Sequence, residues 1–150
     1  MRYFEKSHLQ CESPEGIEIS QGYEEVVGLG VEMFKIFEET YSDYGGYRHR
    51  FAGYWEKALT GPIYDEIPQE FYFLSMKENN RLLGYLITGT RTRDSQKDGR
   101  LNVLELATRD RDNKIAEKLL KGAIALASKE GLKTVSALMG DYGKVLERQI

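Results

Sequence analysis

A group of aromatic residues in the first half of this sequence carries the clearest potential for chemistry. Its members follow one another closely along the chain and are Tyr44, Tyr47, Tyr54 and Trp55. This group predicts a pocket or an interface wall in the first half of the chain, and the face of an aromatic ring attracts ammonium groups. A hydrophobic core between two helices and a sheet would account for the same residues, because large aromatic side chains also dominate cores.

Other reactive side chains give little support for a metal centre or a nucleophile. Cys11 is the one cysteine, with His8 shortly before it, and no third group is in place to orient such a pair. Together with His49 they make too small a set of ligands for zinc. Gly28 and Gly30 lie in a helical pattern, without the strand and the third glycine of a dinucleotide-binding loop. The sequence therefore predicts no metal ion and no bound dinucleotide.

The composition fits a single cytoplasmic domain. With 150 residues and 41% hydrophobic residues, the chain is long enough to build one proper core. It contains no run of roughly 20 apolar residues that could span a membrane, and the early Glu5 does not suit a signal peptide. The net charge of −3 disfavours nucleic acid as a partner, and the basic residues between 91 and 100 are interleaved with aspartates.

The first half of the chain predicts two helices after a lead-in segment. Residues 1–21 show little periodicity and predict a loosely structured lead-in with a short strand at 17–19. Apolar residues then recur at helical intervals over 24–41, which predicts an amphipathic helix. A second short helix is predicted around Trp55, and Gly61-Pro62 stops it.

The middle of the chain predicts an antiparallel meander of three strands. Residues 71–76 and 82–90 are rich in strand formers and are joined by a polar turn, which indicates a hairpin. Residues 91–100 are too polar for a buried element, and we expect a loop that turns at Asp98-Gly99. The third strand is predicted over 101–108.

A capped amphipathic helix is the clearest element of the second half. Asp110 or Asp112 can accept hydrogen bonds from the exposed amides of its first turn, and Gly131 followed by Leu132 predicts a Schellman end. Residues 133–138 return as a strand, which makes a βαβ unit with parallel strands. The apolar face of the helix consists of Ile115, Leu119, Ala123, Leu126 and Ala127.

The order of these elements over residues 22–150, two helices, three strands, a helix and a strand, resembles the GNAT superfamily of acyl-CoA-dependent N-acyltransferases. Residues 81–87 resemble the central strand of that family, with Gly84 at a position where a bulge or a closely packed neighbour is common. Residues 101–106 resemble the next strand, which in the family bulges and splays from its neighbour to admit the pantetheine arm of the cofactor. The resemblance implies an α/β (α+β) fold with a mixed sheet, and acetyl transfer from acetyl-CoA to a small-molecule or protein amine.

The resemblance also assigns a phosphate-binding loop. In GNAT enzymes the loop after that strand reads Arg/Gln-x-x-Gly-x-Gly/Ala, and its backbone amides bind the pyrophosphate at the positive end of the next helix. Here Lys114 stands at the central glycine, and Asp112 brings a negative charge that Lys114 could offset. A well-capped helix with solvated charges would explain the same stretch. The residues assigned to cofactor binding in this loop are Arg111, Asp112, Asn113, Lys114, Ile115 and Ala116.

Roles in catalysis follow from the same resemblance. Glu105 would remove a proton from the attacking ammonium through a water molecule, and backbone amides around Leu106 and Ala107 would bind the cofactor's thioester carbonyl and polarise it. Tyr142 lies where family members often have the tyrosine that protonates the leaving thiolate. A strand carboxylate that faces solvent and a tyrosine used for packing are the simpler interpretations.

A further resemblance concerns tandem proteins. Tyr44-Gly45-Gly46-Tyr47-Arg48, followed by Tyr54-Trp55-Glu56, is similar to the opening of the second GNAT unit in tandem acetyltransferases of the enhanced-intracellular-survival type. That unit keeps the fold while the first unit carries catalysis. A complete domain has a helix and two strands after the strand at 133–138, and residues 142–150 suffice only to begin the helix. Three explanations follow: the protein is naturally short, a homodimer or tandem partner supplies the edge, or the sequence is a piece of a longer protein. An inactive structural domain and an aromatic ligand-binding module are the alternative functions.

Overall fold

The computed structural model describes residues 2–7, 12–21, 24–43, 54, 69–93 and 96–139. In chain order the elements are β1 Arg2–Ser7, β2 Ile17–Gln21, α1 Glu24–Tyr41, β3 Gln69–Glu78, β4 Arg81–Arg93, β5 Gln96–Thr108, a 3-10 turn Arg109–Arg111, α2 Asn113–Lys129 and β6 Thr134–Met139. The strands form one six-stranded sheet in the spatial order β1-β6-β5-β4-β3-β2.

Alternation along the strands divides the core into two layers. Tyr72 and Leu74 of β3 pack with the buried face of α2, whereas Phe73 packs on the opposite face of the sheet with α1. Strand β5 pairs with β4 antiparallel and with β6 parallel. The predicted fold class, a meander followed by a βαβ unit in a mixed sheet, is confirmed.

The predicted first helix is confirmed as α1, over the same residues 24–41. The predicted second helix around Trp55 lies outside the described residues, except for Tyr54, which is helical and packs on the α1 face of the sheet.

The predicted hairpin of β3 and β4 closes through two asparagines. Asn79 and Asn80 have φ angles of 52° and 63°, the left-handed values that suit a type I′ turn and that asparagine tolerates. The register then shifts, because Met76 pairs with Gly84 and Lys77 with Leu82. The bulge expected near Gly84 is therefore present.

Close packing at Gly84 is present as well. A Cβ atom added there would lie 2.9 Å from Cγ2 of Ile115 and 3.2 Å from the backbone oxygen of Ala107. The missing side chain lets β4 approach both the first turn of α2 and strand β5.

The sequence prediction for the polar segment 91–100 was wrong. This segment was expected to be a loop with a turn at Asp98-Gly99, but β4 and β5 continue into it and pair as far as Arg93 with Gln96. An antiparallel ladder is made by backbone groups, so a polar stretch can extend a hairpin that is already aligned by its apolar half.

Both predicted ends of α2 are confirmed. Of the two aspartates considered, Asp112 is the N-cap. At the other end Gly131 has a φ of 72°, and the amide of Leu132 donates to the oxygen of Ala127 at 2.8 Å. This is the hydrogen bond of a Schellman motif, which needs a left-handed residue and therefore favours glycine.

The lead-in segment forms both outer strands of the sheet. The predicted strand at 17–19 is confirmed as β2, which pairs with β3, whereas β1 pairs along the whole of β6 and was not predicted. An outer strand hydrogen-bonds on one side only and tolerates weak sequence patterns. The side of β6 that was expected to await a partner is thus paired with residues 2–7 of the same chain.

Two kinds of feature are missing from the part of the chain that the structure describes. Neither of its helices combines the length and the apolar composition needed to cross a bilayer. Its acidic residues do not gather in threes around a point where a metal ion could bind.

Candidate active site

A bulge in β5 places two consecutive residues on one face of the sheet. Glu105 pairs with Ile87, but Thr88, the next residue of β4, pairs with Val103, so Leu104 is inserted between them. Leu104 packs in the α1-side core, and the carboxylate of Glu105 contacts Tyr85 of the same core. Without the bulge, alternation would send one of these two side chains toward α2.

The parallel strands β5 and β6 part at the same level. Their pairing runs from Arg100 with Thr134 to Val103 with Ala137. Strand β5 continues to Thr108, while β6 continues to Met139 against β1. We call this region, Leu104–Thr108 and the facing end of β6, the splay. The expected bulge is present, and the pairing of β5 with β6 ends at the level where the expected splay would begin.

Glu105 is held by a hydrogen bond inside the protein. The hydroxyl of Tyr85 lies 2.6 Å from Oε2 of Glu105, the carboxylate residue is 8% exposed, and the tyrosine is fully buried. This distance is at the short end of the range for hydrogen bonds between two oxygen atoms. The carboxylate is thus fixed beside the splay on the α1 side, in an environment from which most water is excluded.

The last turn of α1 reaches the same stretch of β5. The hydroxyl of Tyr41 donates to the oxygen of Leu106, and the hydroxyl of Thr40 lies 3.1 Å from the oxygen of Thr108. The hydroxyl of Tyr41 thus satisfies a carbonyl group in the part of β5 beyond its pairing with β6, whereas the hydroxyl of Thr40 lies closer, at 2.8 Å, to the oxygen of Ile36. Leu106 and Ala107, whose amides were predicted to act on a carbonyl, are buried immediately after the bulge.

The loop between β5 and α2 is tied to its surroundings. We call residues 109–116 the cap loop. Nε of Arg109 donates to the oxygen of Leu82 at 2.8 Å, and the amide of Asp110 donates to Oε1 of Glu39 at 2.8 Å. Asp110 and Arg111 have φ angles of 55° and 51°. The loop therefore has a defined shape, held by contacts with α1 and β4.

The side chain of Asp112 occupies the amides at the start of α2. Its Oδ1 accepts from the amide of Lys114 at 2.9 Å and from that of Ile115 at 3.3 Å. The amide of Ala116 donates to the backbone oxygen of Asp112 at 3.1 Å. The phosphates of a cofactor would compete with this carboxylate, so the cap loop as it stands does not fit a pyrophosphate group.

The predicted arginine of the loop is engaged in an ion pair. Nη2 of Arg111 lies 2.8 Å from Oδ2 of Asp43. Both side chains are well exposed, so the pair can exchange with solvent at little cost. A phosphate would nevertheless compete with Asp43 for the guanidinium of Arg111.

Of the predicted amine-binding group, one residue lies in the part of the chain that the structure describes. Tyr44, Tyr47 and Trp55 lie outside the described residues, as does Tyr142. Tyr54 is half-buried and packs in the core on the α1 side, which is the side that Glu105 faces. One predicted substrate residue and the predicted base therefore share a face of the sheet.

Two tyrosines beside the site were missed. Tyr85 lies two residues before Ile87 and therefore on the same face of β4, and Ile87 pairs with Glu105. Period-two alternation could have suggested this orientation. Tyr41 was recognised only as the end of a helix, and the sequence carries no signal for its bond to Leu106.

Solved structures identify the fold. No protein-family model matches the sequence, and no curated protein matches it. A GCN5-related N-acetyltransferase from Sphaerobacter thermophilus is 15% identical, with a TM-score of 0.55 over 90% of this chain and 40% of its own. The chain has the GNAT fold. An aminoglycoside acetyltransferase from an uncultured soil metagenomic sample, solved with sisomicin, is 15% identical, with a TM-score of 0.61 over 89% of this chain and 86% of its own.

Another GNAT-fold neighbour is larger than this chain. Saccharomyces cerevisiae N-myristoyltransferase, solved with bound myristoyl-CoA, is 13% identical, with a TM-score of 0.63 over 96% of this chain and 36% of its own. At such identity the likeness concerns the fold, and a site must be argued from its residues.

Proposed function

We propose that this GNAT-fold chain is an N-acyltransferase that moves an acyl group, with acetyl as the first candidate, from a CoA thioester to an amine. One observation carries the proposal: the pairing of β5 with β6 ends at Val103, directly before the bulge that turns Glu105 toward the α1 side. The end of the β5–β6 pairing, where an extended thioester arm would lie, is thus next to a fixed carboxylate.

The reaction needs three actions from the protein. Glu105 would accept a proton from the ammonium of the acceptor, directly or through water, so that its nitrogen can attack. Amides around Leu106 and Ala107 would polarise the thioester carbonyl. As the new C–N bond forms and the C–S bond breaks, Tyr142 would give its proton to the departing thiolate.

The acceptor in this proposal is a small-molecule or protein amine. The carboxylate of Glu105 attracts an ammonium group, and aromatic faces do the same. Tyr54 lies on the side that Glu105 faces, which supports a binding wall formed with Tyr44, Tyr47 and Trp55. The proposal places the enzyme in the cytoplasm, alone or with a homodimer or tandem partner.

An acyl-transfer assay tests this function. Release of free thiol from acetyl-CoA would be followed with a panel of polyamines, aminoglycosides and lysine peptides, and the products would be weighed by mass spectrometry. We expect release that depends on one class of amine. Glu105→Gln should slow it by about 100-fold, the usual contribution of general base catalysis.

The matched control is Glu78→Gln, which removes an exposed carboxylate at the β3–β4 turn and should leave the rate unchanged. A folded chain that releases no thiol with any amine would contradict the proposal. So would an equal rate in Glu105→Gln, because the carboxylate would then have no part in catalysis.

A further inference from the structure

We infer that Asp112 closes the cap loop to phosphate, so that a donor is held by its pantetheine arm while its nucleotide contributes little to binding. The second half of this inference rests on the proposed function, since it takes a pantetheine thioester as the donor. The first half concerns the loop alone and can be tested without any reaction.

The hydrogen bonds of the cap loop leave few donors for an anion. A helix begins with amides that have no partner inside the helix, and anions bind there for that reason. Here the carboxylate of Asp112 accepts from the amides of Lys114 and Ile115. Before the helix, the amide of Asp112 donates to the oxygen of Arg109 at 3.2 Å, and that of Asp110 to Glu39.

Charge around the loop acts in the same direction. The carboxylate of Asp112 already neutralises the positive end of the α2 dipole. The guanidinium of Arg111 faces Asp43, and Glu39 lies against the amide of Asp110. A pyrophosphate brought to these amides would therefore meet carboxylates at close range. Lys114 is the opposing feature, because its exposed ammonium attracts phosphate from solvent.

The splay does not depend on these donors. It is made by the bulge at Leu104 and by the end of pairing at Val103, and it contacts α1 through Tyr41. Recognition of the thioester arm and recognition of the nucleotide are thus separated in this chain. A donor is expected to bind through its thioester arm at the splay and to leave its nucleotide near solvent.

Calorimetric titration of the full chain tests the separation with three probes, namely CoA, pantetheine and ADP. For the unmodified chain we expect CoA and pantetheine to bind with Kd values within about threefold of each other, and ADP to give no heat. Recognition of the phosphates would instead appear as a large advantage of CoA over pantetheine.

Variants of the cap loop then separate the hydrogen bonds from the charge. Asp112→Gly frees two amides and removes the carboxylate, at little cost in capping, and should tighten CoA by about tenfold or more, since hydrogen bonds to a charged group are worth that much. Pantetheine should be unaffected. Asp112→Asn keeps an oxygen that caps the helix but removes the charge, so its effect on CoA should be smaller.

The matched control is Asp110→Asn, which removes the same charge from the cap loop without touching the cap. Asparagine also tolerates the left-handed backbone at this position, and CoA affinity should change by no more than about twofold. Circular dichroism of each variant shows whether the fold is kept.

The outcomes separate this inference from the proposed function. CoA that binds the unmodified chain far more tightly than pantetheine, with no gain in Asp112→Gly, overturns the inference. Binding of CoA or ADP that appears only in Asp112→Gly supports closure of the loop and removes support for the proposed donor. If no probe binds the unmodified chain or Asp112→Gly, the loop holds no latent phosphate site and the inference is wrong.

Discussion

The splay and the cap loop lie next to each other along the chain, and the structure treats them differently. At the splay, the pairing of β5 with β6 ends at Val103, close to the buried carboxylate of Glu105. In the cap loop, the carboxylate of Asp112 accepts hydrogen bonds from the amides that an anion would need. The fold can thus keep the backbone geometry of a binding site, while a single side chain determines whether the backbone amides of that site are accessible to a ligand.

Gly84 joins the two regions, and replacing it should have the largest effect. A valine there would place Cβ 2.9 Å from Cγ2 of Ile115 and 3.2 Å from the backbone oxygen of Ala107. It would therefore clash with both α2 and β5. We expect Gly84→Val to lower the free energy of unfolding by about 3 kcal/mol, measured by urea denaturation. Gly28→Ala is the matched control, because its Cβ meets nothing within 4 Å in helix α1, and it should stabilise by up to about 1 kcal/mol.

Removing the hydroxyl of Tyr85 tests the splay alone. Tyr85→Phe leaves the buried Glu105 without this donor, which should cost about 2 kcal/mol of stability at neutral pH. Tyr72→Phe removes a hydroxyl that lies 3.3 Å from Glu70 in a part-buried pair, so its cost should stay below about 1 kcal/mol. Equal losses in the two variants would show that Glu105 gains nothing special from Tyr85.

Loss of the cap tests the other region. Asp112→Ala removes both side-chain hydrogen bonds at the start of α2 and should lower the free energy of unfolding by about 1 kcal/mol. Asp110→Asn should leave it unchanged. Thermal unfolding of both variants measures the difference, and a neutral Asp112→Ala would contradict the role of this carboxylate as a cap.

Lys77 is a charged residue remote from both regions, and its replacement should have the smallest effect on stability, which serves as a baseline. Hydrogen bonding to Glu25 raises the pKa of Lys77 above its ordinary value of 10.5, burial opposes this, and the charges of Glu25 and Glu18 add to the rise. The folded state therefore gains stability below pH 10.5 and loses it as the pH rises through the raised value.

Lys77→Met should make the free energy of unfolding, read by urea denaturation between about pH 9 and 12, less dependent on pH, by less than about 1 kcal/mol. An unchanged dependence in this variant would show that Lys77 adds nothing to the stability of the folded state in that range.

How far the sequence predicts the fold depends on whether a signal is local. The caps of α2 are local, since Asp112 and Gly131 act on backbone groups a few residues away. Gly131 was predicted, and Asp112 was one of the two aspartates predicted as the N-cap. Strand β1 was missed because its partner β6 is distant in sequence, and a strand with one neighbour needs no strong pattern. Residues 91–100 were mispredicted because the polarity of side chains indicates whether they are buried, and does not indicate whether the backbone pairs in a ladder.

The site was predictable only in part for a related reason. The resemblance located Glu105 and the cap loop by order along the chain. The orientation of Glu105 depends on the inserted Leu104, which shifts the register by one residue and reverses every later side chain. The phosphate-loop motif assigns Asp112 by its position along the chain, and it does not encode which of the two candidate aspartates caps the helix.

The pairing of β1 with β6 has a consequence for how the chain folds. Arg2 pairs with Met139, so nearly the whole polypeptide separates the two partners. Closing so long a loop costs conformational entropy that only the finished ladder repays, and contacts of this range slow folding. The meander and helix α2 can assemble from neighbouring segments, whereas residues 2–7 must wait until β6 has been synthesised. We therefore expect the docking of β1 to be a late kinetic phase of folding.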